Sequence, residues 1–124
     1  MKKTLKAFAH ACRGILLGIK KERNFRIQFV CALLSIGCGI FFHLSGTEWC
    51  ILLICIAAVL SIELINTAIE HLCNFMHEEY HPSVRTIKDV SAGAVLVIAL
   101  AALACGAFIF LPKIISLINA IKIK

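Results

Sequence analysis

Residues Val90–Pro112 run for 23 positions without a charged side chain. Twenty or so apolar residues, at 1.5 Å each in a helix, match the ~30 Å hydrocarbon core of a bilayer. Only a helix or a closed barrel satisfies its own backbone at that depth. This run is rich in Ala and Gly, which permit close helix contact. Two further apolar runs precede it. Phe29–Phe42 is free of charge, and Trp49–Cys73 is apolar apart from one polar insertion. Three membrane helices are therefore predicted, at about Ile27–His43, Glu48–Met76 and Val90–Pro112. Composition points the same way: 60% of the 124 residues are hydrophobic, 16% are charged, and the mean hydropathy is +0.93. A soluble domain of this size has too little interior for so much apolar surface. The chain, residues 1–124, reads as one small all-α integral membrane domain.

A different pattern opens the chain. Over residues 4–20, Leu5, Phe8, Cys12, Ile15, Leu16 and Ile19 form one stripe, while Lys6, Arg13 and Lys20 recur every seven residues on the other side. That describes an amphipathic helix lying in the headgroup plane. No small-residue cleavage site follows a short apolar core, so it does not read as a signal peptide. The net charge is +6, and eight of the thirteen basic residues lie in positions 1–26. Beside membrane spans such a cluster faces the anionic cytoplasmic leaflet, and no nucleic-acid partner is expected.

The charged break Lys20–Arg26 separates the surface helix from the first span. His43–Glu48, with Gly46 and a Ser/Thr cap, suits a tight turn between antiparallel helices. His77–Lys88 is polar, contains Pro82 and is expected to be an interfacial loop, while a short amphipathic tail follows Pro112. Eight basic residues precede the first span and Arg85 and Lys88 lie in the 77–88 segment, against none in residues 43–48 and three in the tail. The N-terminus and the 77–88 segment are therefore expected at the cytoplasmic face of a multi-pass inner-membrane protein. Seven cysteines are scattered without a C-x-x-C pair and are assigned no role.

The polar insertion Glu63-Leu64-Ile65-Asn66-Thr67-Ala68-Ile69-Glu70 is the place to look for chemistry, because ionisable residues inside a membrane are costly and mark functional sites. Glu63, Asn66 and Glu70 share one helical face, which Asn74 and His77 extend. With the predicted orientation, Glu22, Glu70 and Lys88-Asp89 meet at one membrane face. Two carboxylates there can hold a hard divalent cation, Lys88 can neutralise phosphate, and Glu63 can take a proton from a lipid hydroxyl, the parts of a phosphoryl-transfer site. The same acids also suit a small oligomeric proton or ion pathway lined by Glu63 and Glu70. No Gly-rich nucleotide loop is present. His77-Glu78-Glu79-Tyr80-His81 matches H-E-x-x-H, but Pro82 disfavours helical geometry at His81 and no third zinc ligand is evident.

Glu63-x-x-Asn66-Thr67-Ala68-Ile69-Glu70, then Glu79-Tyr80-His81-Pro82, then Lys88-Asp89 with Ala92-Gly93-Ala94-Val95-Leu96, resembles the prokaryotic diacylglycerol kinase family, including its undecaprenol kinase branch. Glu22-Arg23-Asn24-Phe25-Arg26 resembles that family's element before the first span. The resemblance implies an ATP-dependent lipid kinase acting on undecaprenol or diacylglycerol, built as a homotrimer of three-span subunits with shared active sites. It implies Glu63 as catalytic base, Glu22 and Glu70 as carboxylates for the Mg2+ of the nucleotide complex, and Asn66 as an orienting neighbour. Glu79, Tyr80 and His81 match the stretch that contacts nucleotide, Lys88 and Asp89 the pair at its phosphates and adenosine part, and His10 and Arg13 the surface helix's contribution. Three positions depart from the Gram-negative pattern: Asn74 and Gln28 stand where acids are found, and His10 replaces an aromatic. Asn24-Phe25-Arg26-Ile27 and His81-Pro82 look closer to the undecaprenol kinase branch.

Overall fold

A computed structural model describes residues 2–76 and 82–123, and among them the only regular elements are four helices. They are α1 (Lys2–Lys21), α2 (Arg23–Phe41), α3 (Gly46–Met76) and α4 (Pro82–Lys122). The last three are long and apolar enough to cross a membrane. Helix α1 is amphipathic, with Leu5 and Phe8 exposed on its apolar stripe. The principal packing is α3 against α4; α2 lies on α3, and α1 rests on the start of α2 and touches α3.

A single residue, Glu22, joins α1 to α2 in an extended conformation. Its N–H donates to the Gly18 carbonyl at 3.0 Å and its carbonyl accepts from Arg26 N–H at 3.2 Å, so the sharp bend leaves neither backbone group of Glu22 unpaired. Gly18 is needed at this elbow. A Cβ there would stand 2.9 Å from Leu64 and 3.2 Å from Phe25, whose buried ring fills the corner between the helices.

The α2–α3 turn is closed at both ends by its own sequence. His43 adopts a left-handed backbone (φ 49°), and its N–H and that of Leu44 return to the carbonyls of Ile40 and Gly39, the αL stop that satisfies a helix's last acceptors. Ser45 and Glu48 then form a reciprocal capping box: Ser45 N–H donates to Glu48 Oε2 at 2.7 Å, and Glu48 N–H to Ser45 Oγ at 3.4 Å. Trp49 lies over Gly39, and Leu44, Leu52 and Ile109 bury against Trp49, Ile56 and Phe110.

Two expectations are corrected at α4. Residues 82–88 belong to a helix rather than a loop, because Pro82 opens it. At a first helical position proline's missing N–H is no loss and its fixed φ is already helical. Pro112 does not end the helix either; α4 continues through it to Lys122, so the tail belongs to the same helix. Lys113 Nζ lies 3.0 Å from Glu48 Oε1, tying the helix just past the proline to the capped turn.

Gly39→Ala is expected to displace Trp49, because the new Cβ would lie 2.9 Å from the indole. The thermal unfolding midpoint in detergent should fall by the equivalent of about 1–3 kcal/mol, with altered Trp49 emission. Gly37→Ala, with nothing within 4 Å of its Cβ, should leave both unchanged.

Candidate active site

Helix α3 carries its polar stripe between its two neighbours. Glu63 is the most enclosed ionisable side chain described, 3% exposed, and its Oε2 accepts from Gln28 Nε2 of α2 at 2.9 Å. One turn on, Asn66 is buried and donates from Nδ2 to Glu70 Oε1 at 3.0 Å. Its Oδ1 accepts from the buried Ser91 of α4 at 2.6 Å. Two turns further, Lys88 Nζ donates to Asn74 Oδ1 at 2.6 Å. Glu63, Asn66, Glu70 and Asn74 thus form one column along α3, met by α2 at its deep end and by the first turns of α4 at its outer end.

Glu22, at the α1–α2 elbow, reaches the same helix. Its Oε1 lies 3.2 Å from Nε2 of His71, the residue after Glu70. Beside this contact a cleft of about 340 Å³ opens between α1 and α3, walled by Gly14, Ile15, Leu64 and Ala68 and rimmed by Glu22 and His71. It is apolar within and charged at its mouth, the character of a slot for an amphiphile whose polar end stays at the interface.

The pattern of the family described as "Prokaryotic diacylglycerol kinase" matches residues 9–110. The chain belongs to that family. Its similarity to an undecaprenol kinase of Bacillus subtilis is 41% identity over 109 residues, 88% of this chain and 89% of the relative. A diacylglycerol kinase of Synechocystis is 32% identical over 91% of this chain and 65% of its own length. The Escherichia coli diacylglycerol kinase is 26% identical over 75% of this chain and 76% of its own length. Membership places the chain among membrane lipid kinases.

Within that family's frame, the structure gathers Glu63, Asn66 and Glu70 in the α3 column, brings Lys88 of α4 to its outer end and sets Glu22 against His71 of the same helix. Asp89 is exposed and lies 3.8 Å from Arg85, one turn back on α4. His10 and Arg13 are exposed on α1. Glu79, Tyr80, His81 and the H-E-x-x-H match lie outside the described residues. The sequence singles out neither Ser91 nor His71, and offers Gln28 as a departure and Asn74 as a departure that extends the polar stripe; all four are bonding partners of the predicted site residues. The signal that could have found Ser91 is its place one helical turn after Lys88, on the face that meets α3.

Gln28 Oε1 is the buried side-chain oxygen without a hydrogen-bond partner among the described residues. The amide has turned its donor to Glu63 and left its acceptor bare. Gln28→Met removes the donor from a buried carboxylate, which is expected to cost about 1–3 kcal/mol. Thermal unfolding in detergent should show the loss.

Proposed function

We propose that the chain transfers the γ-phosphoryl group of ATP to the hydroxyl of a membrane lipid at the cytoplasmic face, with undecaprenol as the preferred acceptor. The observation that carries this reading is the α3 column, which holds a buried carboxylate at one end and is met by Lys88 of α4 at the other, with an apolar cleft opening between α1 and α3. The choice of acceptor is supported by the higher identity to the undecaprenol kinase than to the diacylglycerol kinases.

In this reading Glu63 receives the proton of the lipid hydroxyl as its oxygen attacks phosphorus, and Gln28 holds that carboxylate in place. Lys88 faces the phosphate oxygens; Asn74, a neutral acceptor, holds its ammonium without cancelling the charge. Asp89, Glu79, Tyr80, His81, His10 and Arg13 are proposed as further nucleotide contacts. Glu22 and Glu70 offer hard oxygen ligands, and one oxygen of each is already engaged, by His71 and by Asn66. No group of three His, Cys, Asp or Glu side chains that could hold a metal exists among the described residues. Mg2+ takes one or two carboxylates and completes its shell with phosphate and water, so Glu22 and Glu70 would be the residues to hold it. Bound there, it supplies charge neutralisation at the transferring phosphate.

The cytoplasmic placement rests on the basic residues of α1 and of the first turns of α4. A homotrimer is proposed in addition. Leu34, Leu103 and Phe108 stand exposed on the spans, and that apolar surface suits contact with lipid and with neighbouring copies alike.

Radiolabelled ATP with Mg2+ in mixed micelles, offered undecaprenol and diacylglycerol side by side, tests the proposal. Label should enter undecaprenol faster, and EDTA should stop transfer. Glu63→Gln should cut turnover by about 10²–10⁴-fold with nucleotide binding retained, while Glu70→Gln should weaken Mg-nucleotide binding as well. No labelled lipid from well-folded protein would refute the activity.

A further inference from the structure

The hydrogen bonds around Asn66 run one way. Glu70, when ionised, accepts only, so Asn66 must turn Nδ2 toward it, as the 3.0 Å contact shows. The amide's other end, Oδ1, is then committed to a buried position where it needs a donor. Ser91 is the donor found there, at 2.6 Å. Both Asn66 and Ser91 are more than nine-tenths buried, so water does not readily take the place of either.

Ser91 has a second acceptor. Its Oγ lies 3.1 Å from the carbonyl of Lys88, three residues back on its own helix. A serine hydroxyl commonly bonds this way within a helix and has one proton to give. If Asn66 moved away, Ser91 would keep a partner, while Asn66 Oδ1 would have lost its own. The bond therefore constrains Asn66 far more than it constrains Ser91.

We propose that Ser91 is a positioning residue for the nucleotide end of the site. It acts through Asn66, setting which way the amide faces and so holding the Glu70 carboxylate. This rests on the role proposed above for Glu70. Lys88 and Ser91 are one turn apart on α4 and grip Asn74 and Asn66 of α3, so the same two turns carry the phosphate lysine and the device that aims the carboxylate.

Two measurements on Ser91→Ala decide the matter. Steady-state kinetics should show the KM for Mg-ATP raised roughly three- to ten-fold, the worth of one buried hydrogen bond, with the KM for lipid unchanged. In an Asn66→Ala background the same substitution should add nothing, since residues acting through one another are not additive. The second readout needs no activity. The side-chain amide of Asn66, assigned in ¹⁵N spectra by its disappearance in Asn66→Asp, should exchange with solvent faster in Ser91→Ala. An unchanged Asn66 amide would overturn the contact, and a loosened amide with unchanged KM for Mg-ATP would overturn the positioning role. A loosened amide in Ser91→Ala, alongside a wild-type protein that phosphorylates no lipid, would instead refute the kinase reading, and the nucleotide role of Ser91 with it.

Discussion

Hydrogen bonding between polar side chains inside an apolar bundle is the constraint on which this structure turns. Lipid tails are as apolar as leucine, so burial from water does not drive one span onto another; close packing and polar contacts do. Here Gln28 with Glu63 joins α2 to α3, and Ser91 with Asn66 and Lys88 with Asn74 join α4 to α3. Glu22 with His71 brings the surface-helix elbow to the same side. The contacts that register the helices are those that shape the site, so a chain of 124 residues spends few polar groups on anything else.

The far end of the bundle is organised differently. There the turn is self-capped, Trp49 closes over Gly39, and the Glu48–Lys113 pair spans from turn to helix. None of its polar groups extends into a column like that of α3. One end is built as a hinge-free corner and the other as an array of donors and acceptors, a division of labour that suits a protein working at one membrane face.

Much of this was legible in the residues. Charge-free runs revealed the spans because a bilayer tolerates little else, and the i, i+3, i+7 spacing of Glu63, Asn66 and Glu70 was enough to put them on one face. What stayed hidden came from other helices. Gln28 lies 35 residues from Glu63, Ser91 lies 25 from Asn66 and His71 lies 49 from Glu22, separations over which no helical period connects residues. The two prolines misled for a local reason. Pro82 marks a helix start, where its missing donor is harmless, while Pro112 is carried within a helix that its neighbours hold together. The amides Gln28 and Asn74, which in sequence look like lost charge, each supply what a carboxylate there would not. One is a donor to Glu63, and the other is a neutral perch for Lys88.

The lengths of the spans bear on how the molecule sits in its solvent. Helix α4 has 41 residues, about 60 Å of helix, twice what a hydrocarbon core requires. Its charge-free stretch, residues 90–112, covers about 35 Å and is bounded by Lys88-Asp89 and Lys113, so it spans the core with a few ångströms to spare. Helix α2, with 19 residues and about 28 Å, has no such slack. One of its ends is fixed at the Glu22 elbow and the other at the closed turn after Phe41. The shortest span is therefore the gauge to which the surrounding lipid must conform.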